Sequence, residues 1–164
     1  MWWRLPRAQF IKQKGASNKR AFRALVRSGE CPGILAYAGG TPVGWCAVAA
    51  REATPALERS RILKRVDEKP VWSVTCFFIA TPFRRRGVSV ALLRAAAGHV
   101  ARRGGRLIEG YPVETRRGRA PDAFVWTGLA AAFREAGFGE VARRSATRPI
   151  MRLAVARTTR VSNG

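Results

Sequence analysis

The sequence is short of acids, of histidine and of long apolar runs. Its 164 residues include 10 Asp and Glu and one histidine, against 31 Lys and Arg, for a net charge of +21. A single histidine, His99, rules out a zinc site built on several imidazoles. It also leaves any Ser-His-Asp or Cys-His arrangement only one place to sit, on a segment that reads as a surface helix. Three cysteines, Cys31, Cys46 and Cys76, stand apart with no CxxC pair. Neither a disulfide framework nor a cysteine zinc site is therefore expected, and no metal is. Cys46 and Cys76 lie in apolar runs, which fits buried thiols in a reducing compartment. No apolar stretch approaches the roughly 18 residues of a membrane span, and the opening MWWRLPR lacks the apolar core of a signal peptide. The expectation is a cytoplasmic protein with no membrane partner. The phosphate-loop, zinc-protease and dinucleotide fingerprints GxxxxGK[ST], HExxH and strand-borne GxGxxG are also missing.

What is abundant is positive charge, and 26 of the 31 cations are arginine. Such a surface attracts nucleic acid, acidic membranes or polyanionic ligands. A GC-rich genome would produce the same arginine excess, along with the abundant Ala and Gly, so composition alone leaves both readings open. Length and a 47% hydrophobic content fit one globular domain with a single core.

The chain reads as alternating elements. Residues 6–29 predict two short helices broken around Gly15-Ala-Ser17-Asn18, with Phe22, Leu25 and Val26 as an apolar stripe. Two strands, Gly33–Ala38 and Val43–Ala50, flank the hairpin dipeptide Gly39-Gly40. Residues 51–69 are polar and basic, with a short helix expected over 55–65. Val71–Ala80 is apolar enough for a central strand. Leu92, Leu93, Ala96 and Val100 line one face of a helix over 88–103, stopped by Gly104-Gly105. A strand over 106–113, a basic loop over 114–121, a helix over 124–136 and strands near 138–145 and 148–155 complete a mixed α/β domain. The domain is expected over 1–155, with a frayed tail over 156–164.

One junction carries chemistry. Between the central strand and the long helix stands TPFRRRGVSV, residues 81–90. The helix dipole already favours anions at a helix N-terminus. Three arginines there make sense when a negative group lies between them and the backbone N–H donors, and phosphate is such a group. Gly87 allows close backbone approach or positive φ.

With these motifs in that order, the sequence resembles the GNAT acetyltransferase superfamily over roughly residues 20–155. The signature is Ile79 followed by Arg84-Arg85-Arg86-Gly87-Val88-Ser89, and the later motif is Phe133-Arg-Glu-Ala-Gly137-Phe138. The resemblance implies a single-domain α/β fold, with a mixed, mostly antiparallel central sheet, helices on both faces and a splayed central strand pair. It implies an N-acetyltransferase that moves an acetyl group from acetyl-CoA directly to an amine acceptor, as a monomer or homodimer. Arg84, Arg85, Arg86, Gly87, Val88 and Ser89 would then hold CoA phosphates. Phe77, Phe78 and Ile79 would border the pantetheine arm, and a strand N–H near 77–79 would polarise the thioester carbonyl.

Two departures bear on proton transfer. Ser73 stands where members with a catalytic carboxylate often carry it, and Phe133 where many carry a tyrosine. The candidates that remain are Glu109 and Tyr111 on one face of the 106–113 strand, with Ser73 as a relay. Glu109 is equally readable as the partner of an arginine, and Tyr111 as packing. Trp45, Glu52 and Trp126 are candidates for the acceptor cleft, with 114–121 as its rim. The alternative function is a basic nucleic-acid-binding protein, including a CoA-binding GNAT fold without catalysis.

Overall fold

Alternating apolar residues drive residues 33–50 into a hairpin, and two glycines let it turn. β1 (Gly33–Ala38) and β2 (Thr41–Ala50) pair antiparallel across Gly39 and Gly40, both at positive φ. The structure is a computed structural model that describes residues 1–115 and 125–156. The expected tail beyond 156, and all but the first two residues of the 114–121 loop, lie outside the described residues.

β2 pairs antiparallel with β3 (Trp72–Ile79), and β3 pairs parallel with β4 (Leu107–Gly110). β5 (Gly139–Arg143) and β6 (Pro149–Ala154) close the far side antiparallel, so the six strands run β1-β2-β3-β4-β6-β5. The parallel β3–β4 pair needs a crossover, and α3 (Val88–Arg102) supplies it. Its buried residues Leu92, Leu93, Ala96 and Val100 share the main core with Cys46, Val48, Val74 and Ile108. A Cβ on Gly44 would come within 3.0 Å of Val88 and 3.2 Å of Leu92, so this glycine sets how closely α3 meets β2.

The opposite face is covered by the N-terminal segment. α1 (Arg7–Lys12) leads to α2 (Ala16–Arg27), whose Phe22 meets Trp45 of β2 edge-on, with centroids 6.0 Å apart. Gly44 and Trp45 are consecutive strand residues and point to opposite faces, so helices cover the sheet on both sides. No helix among the described residues is long and apolar enough to cross a membrane.

Three elements are shorter than the sequence predicts. The 51–69 connection holds only single 3-10 turns at Arg51–Ala53 and Pro55–Leu57. β4 ends at Gly110 rather than Val113. The last helix, α4 (Ala130–Glu135), begins six residues late. Gly128 at φ 89° breaks any helix through 125–129, and its N–H closes a turn onto the Val125 carbonyl.

Candidate active site

β3 is irregular where it matters. Ala47 of β2 faces Cys76 and Val48 faces Val74, which leaves Thr75 as an extra, unpaired residue. This β-bulge kinks the strand. Pairing with β4 stops at the same level, the last pair being Val74 with Gly110, while β3 runs on to Ile79. The two central strands therefore splay beyond Val74. The indole N–H of Trp3 donates to the freed Thr75 carbonyl at 3.1 Å.

The opening is bridged by main chain from 126–130. The Phe77 N–H donates to the Trp126 carbonyl at 2.7 Å, and the Val113 N–H donates to Gly128 at 2.8 Å. Ala130 returns a bond to the Val113 carbonyl at 2.9 Å. The ring of Phe133 packs beneath, edge-on to Phe77 and Phe138. A Cβ on Gly110 would stand 2.1 Å from that ring, so the glycine makes room for the phenylalanine.

On the α2 side of the bulge lies a cavity of about 130 Å³, walled by Trp3, Phe22, Trp45 and Trp126, with Thr75 and Cys76 at its base. Trp3 and Trp126 lie 5.6 Å apart at 31°, as a tilted pair. Trp45 and Trp126, the two candidates for the acceptor cleft, both line this cavity. Glu52 does not join them: it is exposed and accepts from Arg65 at 2.9 Å. Burial pushes the Cys76 thiol above its ordinary pKa, which makes it a poor nucleophile. His99 is remote from the cavity, edge-on to Trp72 on α3.

Ser73, Glu109 and Tyr111 also come together, but in a different setting. All three are fully buried, and none is on the cavity wall. Tyr111 donates to Glu109 Oε1 at 2.6 Å, and its hydroxyl lies 2.9 Å from Ser73 Oγ. Arg51, itself 2% exposed, donates to Glu109 Oε1 at 2.9 Å and to the Tyr111 hydroxyl at 2.6 Å. Arg152 donates to Glu109 Oε2 at 2.6 Å, then grips Asp67 with both terminal nitrogens. Burial first, and the Glu109 charge second, push the Tyr111 phenol well above its ordinary pKa. Of the two readings left open for Glu109, this geometry is that of an arginine partner. The group ties the 51–69 connection to β4 and β6. Sequence reasoning missed Arg51, Thr75 and Trp3; the one available signal was that Arg51 is the first charged residue after the apolar β2.

The basic turn sits at the same end of the sheet. Arg84, Arg85, Arg86 and Gly87 are exposed, and Val88 and Ser89 are half-buried. Arg85 has φ 61° and Gly87 φ 76°, so two left-handed residues aim the turn. The first bond of α3 runs from Ala91 N–H to the Gly87 carbonyl, which leaves Val88, Ser89 and Val90 without helical acceptors for their N–H groups. Nothing lies within 4 Å of a Cβ built on Gly87, so the space above the turn is open. Phe77 borders the splay, Phe78 is exposed, and the Ile79 carbonyl accepts from Arg84 Nε at 3.0 Å.

Comparison with known proteins agrees with this architecture. No curated protein sequence matches the chain. Among solved structures, a GNAT-family acetyltransferase from Streptococcus pneumoniae superposes with a TM-score of 0.54 at 14% identity, covering 87% of this chain and 78% of that one. A phosphinothricin acetyltransferase from Sinorhizobium meliloti, in complex with AcCoA, gives 0.53 at 17% identity over 86% and 70%. The PaiA N-acetyltransferase from Thermoplasma acidophilum, in complex with coenzyme A, gives 0.53 at 12% over 90% and 76%. At these identities the likeness is one of fold. The sequence itself carries the assignment: the family model for "Acetyltransferase (GNAT) family" matches residues 1–116, most of the chain, and the protein belongs to that family.

Proposed function

We propose that the protein transfers an acetyl group from acetyl-CoA directly to the nitrogen of an amine, with residues 1–155 as the acetyltransferase unit. The observation that carries this reading is the meeting of two features at one end of the sheet. One is a splayed, bulged central strand, and the other an open arginine-glycine turn at the start of α3. The N–H groups of Val88 and Ser89 and the guanidinium groups of Arg84, Arg85 and Arg86 fit a pyrophosphate, and the open space above Gly87 admits it. The backbone over Phe77, Phe78 and Ile79 suits an extended amide-bearing arm, which would have to share or displace the bond from Phe77 to Trp126.

Bound acetyl-CoA would supply an activated acyl carbon. The chain's part is to orient it against the acceptor and keep water out. This reading gives Glu109, Tyr111 and Ser73 no proton to move, because the carboxylate is held by two guanidinium groups. The acceptor then arrives neutral, with Trp45 and Trp126 beside it and Glu52 outside.

The test follows free thiol released from acetyl-CoA across a panel of amines. Acceptor-dependent release by the wild type, lost in Gly87→Glu with the fold intact, is expected. Tight acetyl-CoA binding with no release for any amine would instead mark a binding module.

A second reading, nucleic-acid binding, is favoured by the pairing of acids. Glu30, Glu52, Glu58, Asp67, Glu109, Glu114 and Glu140 each engage an arginine. Among the described residues, most of the remaining lysines and arginines are exposed.

A further inference from the structure

The cavity beside the bulge has a chemistry of its own. Its walls are aromatic, formed by Trp3 and Trp126 as one pair and Phe22 and Trp45 as the other. Among the described residues no carboxylate lines it. The charged side chain among its lining residues is that of Arg4. Arg4 is turned toward Glu30, at 3.5 Å, whose carboxylate is on the outer surface. Cys76 is the remaining titratable side chain on the wall, and burial keeps it a neutral thiol.

An ammonium ion entering this space would lose water, meet no carboxylate and face the Arg4 guanidinium, against which cation–π contact with the rings returns only about 0.5–2 kcal/mol. A neutral ring would lose little and gain contact with the aromatic side chains of the wall. Size narrows the choice further. An apolar cavity of about 150 Å³ accepts benzene, so one of about 130 Å³ is on the scale of a single ring.

We infer that the cavity receives the ring of a small aromatic amine, one that is neutral at physiological pH, and presents its nitrogen at the Thr75–Phe77 bulge as the acetyl acceptor. This rests on the acetyl-transfer reading above and adds the acceptor class to it. In the step itself the nitrogen lone pair attacks the thioester carbonyl carbon. The C–N bond forms, the C–S bond breaks, and the departing thiolate takes up the proton that the nitrogen loses. The products are an N-acetyl arylamine and the CoA thiol, with no oxidant, metal or second base consumed. A weakly basic amine needs no general base to be stripped of a proton first, which matches a site whose nearest buried carboxylate is occupied by Arg51 and Arg152.

The test compares aniline with cyclohexylamine. The two have similar ring sizes, but only the second is an ammonium at neutral pH. With the full chain and acetyl-CoA, aniline should be acetylated with a kcat/KM at least 100-fold higher at neutral pH, the order of magnitude expected from leaving a buried charge unpaired. The gap should narrow as rising pH deprotonates cyclohexylamine. Aniline binding is read separately, by ligand-observed NMR. Trp45→Ala should raise the aniline KM by about 10-fold through lost stacking. Ala47→Leu, which fills the cavity rather than emptying it, should abolish aniline binding. Both variants should keep the acetyl-CoA thermal shift. Preference for cyclohexylamine at neutral pH, or turnover of other amines with no aniline binding, would overturn the acceptor class and leave acetyl transfer standing. Loss of the acetyl-CoA shift in Ala47→Leu would also overturn it, since the cavity would then hold the acyl group. Aniline bound in the cavity but never acetylated, with acetyl-CoA present, would sink the acetyl-transfer reading while the ring site stands.

Discussion

Glu109 has both carboxylate oxygens engaged, by Arg51 and Tyr111 on one and Arg152 on the other. A carboxylate so held is a staple between the 51–69 connection and the sheet. Removing one partner of a buried ion pair strands the other charge and costs about 3–5 kcal/mol. Glu109→Gln should therefore shift the urea midpoint by a loss of that order, while the protein that remains folded keeps its turnover. A hundredfold fall in kcat with unchanged stability would return Glu109 to the role of general base. The sequence marked Glu109 as an acid in an apolar strand, and left both roles open. It did not mark the partner, because Arg51 is one arginine in 26 and only the fold brings it across 58 positions to Glu109.

β3 and the segment that bridges its splay set the shape of the site. The central strand was legible from its apolar run, but the bulge at Thr75 was not. A bulge inserts one residue without changing composition, and WSVTCFFI reads equally well with or without it. The late start of α4 was partly legible, since Gly128 sits inside the predicted helix and glycine there is a warning. Its positive φ lets Trp126 reach Phe77, and a Cβ at that position would lie 2.8 Å from the Phe133 ring. Gly128→Ala should cost roughly 1–3 kcal/mol through backbone strain and overpacking, read as a lower urea midpoint. An unchanged midpoint would mean that the bridge does not depend on this turn. Trp45 and Trp126 stood out in the sequence as bulky aromatics, yet their joining across a cavity depends on the bulge, the bridge and the N-terminal Trp3 together.

At the scale of the molecule, the order of elements was legible and is what the fold keeps: hairpin, central strand, arginine-glycine turn, crossover helix, strand, helix and final hairpin. Charge was legible as a number and silent about purpose. With most acids already paired, the +21 surface should bind polyanions non-specifically. If that binding is a function, affinity for duplex DNA or RNA should fall linearly on log–log axes, by several orders of magnitude, between about 50 and 200 mM salt. A flat response would leave coding bias and CoA phosphates as the account of the arginines. The claim on which the rest depends is that acetyl-CoA binds at the turn before α3, and thermal unfolding tests it most directly. A ligand bound only to the folded state at about 100 times its Kd adds ~2.7 kcal/mol, several degrees for a chain of this length. The wild type should show that shift with acetyl-CoA. Gly87→Glu, which puts a side chain and a negative charge into the open space above the turn, should show none, its own unliganded midpoint being lowered only by the roughly 1–3 kcal/mol of holding a non-glycine residue at φ 76°. Equal shifts in the two proteins would contradict the account.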